Sequence, residues 1–190
     1  MRTVKPARAV RALAPGPRLR TRRPSVIVTG GWRCRVRRRT DGGGAGSGGA
    51  RVAPSILLVD DERAIRTICR VNLEGDGMNV TEATDGVEAI AQLRQEQPSL
   101  VLLDVMMPGI DGWKVAERLA ADPATKDLPV VFLSARASYE DRLHAQELGA
   151  VGYIVKPFDP LELAGVVRTV LDRIRRGERE QLNRELSEHE

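Results

Sequence analysis

Five side chains that carry acid, hydroxyl or ammonium groups directly follow short apolar runs in this sequence. They are Asp60, Asp61, Asp104, Ser134 and Lys156, and the successive steps from Asp61 are 43, 30 and 22 residues. Three carboxylates brought together would repel one another, by roughly 3 kcal/mol for a pair 5 Å apart at an effective dielectric constant of 20. Such a cluster calls for a cation, and one lysine cannot neutralise three acids.

The donor atoms of this cluster indicate which cation would fit. They are oxygen atoms, with no histidine or cysteine nearby in the motif, and hard ions such as Mg²⁺ prefer oxygen ligands. Zinc is not expected for the same reason. A divalent ion held by the acids would also attract phosphate. The sequence therefore predicts Mg²⁺ as cofactor and chemistry on a phosphate group.

The pattern of apolar residues predicts five short strands that alternate with five helices. The strands are expected at 56–59, 78–83, 100–103, 129–133 and 152–155. The helices are expected at 62–73, from Asp85 through Glu96, at Gly112–Ala121, at Tyr139–Leu148 and from Asp159 onward. The run at 100–103 is continuously apolar, as is typical of a parallel strand buried on both faces. The run at 78–83 is more polar and is expected nearer an edge.

This alternation predicts an α/β fold, a doubly wound parallel sheet with helices on both faces. In open sheets of this kind, ligands bind outside the carboxyl ends of the strands, where the strand order reverses. Four of the five predicted strands end in the polar residues described above. The sequence therefore predicts that these residues meet at one edge of the sheet.

Four segments carry a resemblance to a known protein family. They are LLVDDE at 57–62, LLDVMMPGIDGW at 102–113, VVFLSAR at 130–136 and YIVKPF at 153–158. In this order they resemble the receiver domain of two-component response regulators, over residues 54–175. The resemblance implies a flavodoxin-like fold with strand order 2-1-3-4-5. It also implies a phosphorylation-dependent signalling module rather than a turnover enzyme.

The resemblance assigns a role to each acid of the cluster. Asp104 would accept a phosphoryl group from the phosphohistidine of a histidine kinase or a histidine phosphotransfer protein. Asp61 and Asp104 would bind Mg²⁺ directly. Asp60 would hold the ion through water, and the backbone carbonyl of Met106 would be a further ligand. With Mg²⁺ bound, self-phosphorylation and self-dephosphorylation would be the only reactions.

The resemblance also implies how the signal leaves the site. Lys156 would bind a phosphoryl oxygen, and its peptide bond to Pro157 would be cis. Ser134 would move to hydrogen-bond the phosphoryl group, and Tyr153 would then turn inward. This change would reshape the face formed by the fourth helix, fifth strand and fifth helix. An unidentified downstream protein, or a second copy of the chain, would bind there.

Residues 1–51 differ sharply in composition from the rest of the chain. They carry 14 Lys and Arg against one acid, a net charge of +13, whereas residues 52–190 carry a net charge of −9. Together with GGGAGSGG at 42–49, this composition predicts a disordered basic tail and linker, or a translation start assigned too early. A nucleic-acid-binding arm, a transit peptide and a twin-arginine signal are the alternatives.

Residues 176–190 are polar and are predicted to extend the last helix. Two leucines, Leu182 and Leu186, are too few for a coiled coil, and the segment is too short for a helix-turn-helix. We therefore expect a stand-alone receiver, with nucleic acid an unlikely partner. The chain contains no run of about 18 apolar residues, so no membrane association is expected and the predicted location is the cytoplasm.

Three other functions are compatible with parts of the sequence. Aspartyl-phosphate phosphohydrolases also use an aspartate on a parallel sheet, but they typically have a second aspartate two residues later, where this chain has Met106. A nucleic-acid binder with a basic arm regulated by the receiver is another alternative. The last is a receiver that acts without phosphorylation, and the complete set of acids, serine and lysine argues against it.

Overall fold

The alternating apolar and amphipathic segments form a five-stranded parallel sheet in the computed structural model of this chain. The structure describes residues 52–188, so the predicted basic tail at 1–51 lies outside the described residues. The strands are β1 (Ser55–Val59), β2 (Asn79–Ala83), β3 (Leu100–Asp104), β4 (Val130–Ser134) and β5 (Gly152–Val155). They pair in the order 2-1-3-4-5 and are all parallel, which confirms the predicted fold.

Burial along the strands follows their positions in the sheet. All five residues of β3 and of β4 are buried because both faces of these inner strands are covered by helices. In β2, exposed and partly buried residues alternate up to the buried Ala83, as expected for an edge strand. The more polar run at 78–83 is thus an edge strand, as predicted.

Helices follow the strands in regular order. They are α1 (Arg63–Gly75), α2 (Gly86–Leu93), α3 (Gly112–Ala121), α4 (Tyr139–Glu147), α5 (Pro160–Arg175) and α6 (Arg179–Glu185). The Asp85 carboxylate accepts hydrogen bonds from the backbone N–H groups of Val87 and Glu88, which fixes the start of α2. This helix ends before the predicted Glu96 because the chain tightens at Gln95, whose N–H bonds the carbonyl of Gln92.

Two apolar layers hold the helices on the sheet. Side chains alternate along each strand, so Leu57 and Val59 face one layer while Ile56 and Leu58 face the other. Helices α2, α3 and α4 cover the first layer, and α1 and α5 cover the second. Among the helices of residues 52–188, none has the length and apolar character needed to span a membrane.

The segment after α5 differs from the prediction. Rather than extending α5, the chain turns at Gly177, which has φ of +80°, and begins α6. The N–H of Gly177 bonds the carbonyl of Ile174, and the N–H of Glu178 bonds the carbonyl of Arg173, a pairing that ends a helix at a left-handed residue. The chain folds back because both leucines of the segment, Leu182 and Leu186, become fully buried.

Candidate functional site

The parallel strands bring the predicted residues to the same edge of the sheet. Asp60 follows β1, Asp104 and Ser134 are the last residues of β3 and β4, and Lys156 follows β5. The register pairs Asp104 with Leu133 and Ser134 with Val155, so neighbouring strands end at nearly the same height. The predicted convergence at the carboxyl ends of the strands is confirmed.

Three carboxylates form the centre of this site. One ligand oxygen from each of Asp60, Asp61 and Asp104 lies within 4.8 Å of the others. Asp60 and Asp104 are buried, at 0% and 3% exposure, while Asp61 is exposed and opens the cluster to solvent. Three carboxylate oxygens repel one another, and the cluster is open to solvent on one side, so it suits a hard divalent cation. The cluster could therefore hold a metal ion.

Lys156 supplies the positive charge of the site. Its Nζ donates to Oδ2 of Asp60 at 2.7 Å and lies 3.2 Å from Oδ1 of Asp104. Burial alone would lower the pKa of Lys156, but the hydrogen bond to Asp60 and the charges of Asp104 and Asp60 raise it overall. The peptide bond from Lys156 to Pro157 is cis, as predicted.

Asp104 lies in an environment with opposing electrostatic effects. Burial raises the pKa of its carboxyl group, and the neighbouring Asp60 adds to that rise. The Lys156 ammonium group and a hydrogen bond from the backbone of Met106 act in the opposite direction. A carboxylate with this mixture of desolvation and a single cationic neighbour is typical of functional sites.

Asp60 is held at several atoms. Its Oδ1 accepts the N–H of Glu62 at 2.8 Å, and its Oδ2 accepts the Lys156 ammonium group. Its own N–H donates to the carbonyl of Ala83 at 3.3 Å, which extends the pairing of β1 with β2 by one residue. The orientation of Asp60 is therefore set on both its side chain and its backbone.

Ser134 and Tyr153 both contact the loop that connects β4 to α4. Oγ of Ser134 accepts the N–H of Arg136 at 3.0 Å, and the Tyr153 hydroxyl donates to the carbonyl of Arg136 at 3.0 Å. Tyr153 is completely buried, and burial raises the pKa of its hydroxyl. The structure therefore has Tyr153 in the inward position that was predicted to follow phosphorylation.

Gly112 brings α3 against the backbone of the site. A Cβ atom at this position would fall well inside contact distance of the Asp104 carbonyl oxygen and 2.9 Å from Cα of Val105. The sequence indicated Gly112 only as the start of a predicted helix. The steric requirement was missed because it depends on which backbone α3 approaches, and the residue types do not encode that.

Trp113 is partly buried and packs on the apolar layer beside α3. Its ring lies 4.5 Å from that of Phe132 and 4.8 Å from that of His144, measured between ring centres. Phe132 lies in turn 6.3 Å from Tyr153. The aromatic side chains therefore connect α3 and α4 with β4 and the edge strand β5, which isolated aromatics in the sequence do not reveal.

Comparisons with known proteins agree with this geometry. The family model described as "Response regulator receiver domain" matches residues 56–168. The chain is 29% identical to Vibrio cholerae chemotaxis protein CheY4 in a solved structure, with a TM-score of 0.60, and the likeness covers 63% of this chain and 99% of that one. Fold and motifs thus point to the same family.

Curated relatives add information about function. A "Probable transcriptional regulator ycf27" from Porphyridium aerugineum is 44% identical over 63% of this chain and 48% of its own length. The "DNA-binding dual master transcriptional regulator RpaA" of Synechocystis sp. is 41% identical over 63% of this chain and 50% of its own length. The chain thus spans about half the length of the curated relatives it matches.

These relatives correct one prediction and leave another without support. The prediction that nucleic acid is an unlikely partner is wrong, because a close relative is a DNA-binding regulator. That prediction depended on the segment at 176–190, which is too short for a helix-turn-helix, whereas these relatives are about twice as long as the region they share with this chain. The prediction of a stand-alone receiver gains no support from relatives about twice as long as the matched region.

The family model covers more than half of the chain, and the strand order and site geometry agree with it. The chain therefore belongs to the response regulator receiver domain family of two-component phosphorelay signalling.

Proposed function

We propose that this protein is a phosphorylation-dependent switch in which Asp104 accepts a phosphoryl group from a histidine kinase or a histidine phosphotransfer protein. One observation carries the proposal. The Asp104 carboxylate ends a central strand, within ligand distance of two more carboxylates and 3.2 Å from the Lys156 ammonium group. This arrangement combines a nucleophile, a cation site and a fixed positive charge.

Asp104 acts as the nucleophile of the transfer. A carboxylate oxygen attacks phosphorus, and the bond from phosphorus to the imidazole nitrogen of the donor breaks, so that its electron pair remains on the ring. The attacking group must be ionised, and burial opposes ionisation by raising the pKa of Asp104. The Lys156 ammonium group favours the charged form and so keeps the nucleophile available.

The acidic cluster is the proposed Mg²⁺ site. Asp61 and Asp104 would bind the ion directly, Asp60 through water, and Met106 through its backbone carbonyl. When bound, the ion neutralises charge on the phosphoryl oxygens. Lys156 would bind a phosphoryl oxygen, since it lies between Asp60 and Asp104 and is partly open to solvent.

Ser134 and Tyr153 are the proposed switch residues. The Ser134 hydroxyl now accepts from the N–H of Arg136, and turning toward a phosphoryl group on Asp104 would weaken that hydrogen bond. Tyr153 holds the carbonyl of the same residue. Phosphorylation would therefore move the loop between β4 and α4 and alter the face of α4, β5 and α5. An unidentified downstream protein or a second copy of the chain would bind that face.

Phosphotransfer from acetyl phosphate tests the proposal. The wild-type protein should become phosphorylated only when Mg²⁺ is present, and Asp104→Asn should not become phosphorylated at all. Asp122→Asn serves as control and should behave as wild type, because Asp122 follows the end of α3, whereas the start of that helix contacts Asp104. Equal labelling of Asp104→Asn and wild type would refute the proposal.

We also propose DNA as a partner of the whole protein. A relative that is 41% identical is named as DNA-binding, and residues 1–51 carry a net charge of +13. Neutralisation of DNA phosphates by basic side chains makes affinity fall steeply with salt. The full chain should therefore bind DNA in a salt-dependent manner, and deletion of residues 1–51 should weaken that binding. Affinity for DNA that is undetectable even at low salt would exclude this function.

The remaining predictions belong to the same proposal. The division into a basic segment at 1–51, a receiver at 54–175 and a C-terminal segment at 176–190 stays a prediction. The cytoplasmic location also stays a prediction, and fractionation of cells that express the protein would test it.

A further inference from the structure

A buried arginine contacts the backbone of the acidic cluster from α1. Arg66 is only 8% exposed, and its Nη1 donates to the carbonyl oxygen of Asp60 at 2.7 Å. A guanidinium group is seldom buried without a specific partner, because removing its charge from water is costly. Its partner here is a main-chain oxygen of the proposed cation site.

Arg66 makes a long ion pair with Glu82 and a much shorter hydrogen bond to Asp60. The nearest carboxylate, that of Glu82, lies 4.0 Å from its Nε, and this Nε finds no hydrogen-bond partner among the described residues. Glu82 is instead bound by Arg70, whose Nε donates to Oε1 of Glu82 at 3.1 Å. The hydrogen bond to Asp60 is therefore the specific contact that Arg66 makes.

The carbonyl that Arg66 holds belongs to the peptide unit between Asp60 and Asp61. The direction of that carbonyl reports the ψ torsion of Asp60, and a change in ψ alone would turn Asp61 and its carboxylate relative to the carboxylate of Asp60. Neighbouring groups fix the side chain and the N–H of Asp60 through Glu62, Lys156 and Ala83. The side chain of Asp61 is exposed, so the direction of its carboxylate depends mainly on the backbone between Asp60 and Asp61.

We propose that Arg66 is a positioning residue that holds the Asp60–Asp61 peptide so that both carboxylates face one divalent cation. The inference rests on the proposed Mg²⁺ site. Groups that orient metal ligands without touching the metal commonly change affinity by about 10-fold to 100-fold when they are removed. Arg66 fits that description, since it reaches a main-chain atom of the ligand pair and no carboxylate of the cluster.

The test compares two arginines of the same helix. Arg66→Met removes the hydrogen bond to Asp60, whereas Arg70→Met removes an ion pair with Glu82 and leaves the Asp60 carbonyl bonded. Mg²⁺ binding is measured by titration calorimetry on the full chain, without a phosphodonor. The dissociation constant should rise about 10-fold or more for Arg66→Met and stay near the wild-type value for Arg70→Met. Arg66→Lys, which keeps a donor, should recover part of the affinity.

A measurement on the wild-type protein covers the case in which Arg66→Met does not fold. In nuclear magnetic resonance spectra, the side-chain N–H signals of Arg66 should shift with Mg²⁺ along the same binding curve as the amide of Asp61, and those of Arg70 should not. The positioning role would be overturned if the Arg66 signals did not shift with Mg²⁺. It would also be overturned if Arg66→Met and Arg70→Met bound Mg²⁺ with equal affinity.

The outcomes also separate this inference from the proposed function. If Mg²⁺ binds the wild type more tightly than Arg66→Met, as expected, but the wild type accepts no phosphoryl group, the proposed function fails and the positioning role stands. If the wild type is phosphorylated on Asp104 and Arg66→Met binds Mg²⁺ as tightly as Arg70→Met, the positioning role fails and the function stands.

Discussion

At Gly112 the first turn of α3 touches the backbone of Asp104, and no side chain fits between them. Gly112→Ala should therefore destabilise the protein by about 1–3 kcal/mol, as overpacking of a closed core does. It should also slow phosphorylation. The added methyl group would clash with the backbone of Asp104, and relief of that clash would displace the residue that accepts the phosphoryl group. Urea unfolding and the rate of phosphorylation by acetyl phosphate measure the two effects.

Gly75 provides the matched control for that substitution. It is the last residue of α1, and a Cβ atom there would meet nothing within 4 Å. Gly75→Ala should be neutral or stabilise by about 0.4–1 kcal/mol, because alanine restricts the unfolded chain. A Gly112→Ala protein as stable as Gly75→Ala would show that α3 can move away from Asp104 without cost.

Ionisation of Lys156 is expected to make the free energy of unfolding depend on pH in the alkaline range. The folded-state pKa of Lys156 is raised above the ordinary value of 10.5, despite burial, by the hydrogen bond to Asp60 and the charge of Asp104. The stabilisation is therefore fully present below pH 10.5 and is lost as the pH rises through the folded-state pKa. The difference in unfolding free energy between wild type and Lys156→Met should shrink over that range.

The comparison of wild type with Lys156→Met also separates the effect of Lys156 ionisation on stability from that of Tyr153 ionisation. Burial raises the pKa of that hydroxyl as well, but Tyr153 is present in both proteins, so its effect cancels in the difference. Urea unfolding at a series of pH values below and above 10.5 gives the result. A difference that stays constant or grows with pH would contradict the assigned charge interactions.

The sequence predicted the acids of the site because strand ends are visible as the limits of apolar runs. Asp60, Asp104, Ser134 and Lys156 each lie at such a limit, and parallel strands must bring them together. The sequence could not predict that Tyr153 already lies inward, or that Arg66 reaches the Asp60 carbonyl. Those contacts depend on side-chain packing between elements far apart in the chain.

At the scale of elements, α6 is the least expected part of the fold. Leu182 packs in the layer with α1 and α5, and Leu186 packs in the layer with α2, α3 and α4. Arg173 of α5 holds the helix through hydrogen bonds of 2.7 and 2.8 Å to the carboxylate of Glu185. Helix α6 and the residue that caps its end therefore reach both apolar layers of the sheet.

Removal of one α6 leucine should have a large effect on stability. Leu182→Ala should cost about 2–5 kcal/mol, the usual range for a fully buried leucine. Leu161→Ala is the matched control, since Leu161 is 76% exposed at the start of α5 and should change stability by less than about 0.5 kcal/mol. Urea unfolding compares both with the wild type. Equal effects for the two variants would show that α6 is not docked.

Strong periodicity explains which elements could be predicted. The order of strands and helices from β1 to α5 follows from alternating apolar runs, and the caps at Asp85 and Asp159 are local signals. In contrast, α6 has seven residues, of which Leu182 is the only apolar one, and Leu186 follows its end, which is too little for a periodic pattern. Gly177 is a local signal for the end of α5. A single glycine in a polar segment does not show that the following residues pack on the core.

At the scale of the whole molecule, charge is divided between two regions. Residues 1–51 are strongly basic, and residues 52–190 are acidic. The acidic region is the one that contains the family match, and it spans about half the length of the curated relatives. Net charge over the complete chain is +4 and therefore describes neither region, since the two regions carry +13 and −9.

The most direct test of Asp104 as the phosphoryl acceptor is to identify the residue that carries the phosphoryl group. The full chain is treated with acetyl phosphate and Mg²⁺, then with borohydride, which reduces an aspartyl phosphate to homoserine, and its peptides are analysed by mass spectrometry. Homoserine is expected at position 104 in the treated protein, and unchanged aspartate is expected there when Mg²⁺ is withheld. Homoserine at another acid, or unmodified Asp104 in a protein that carries a phosphoryl group, would contradict that assignment.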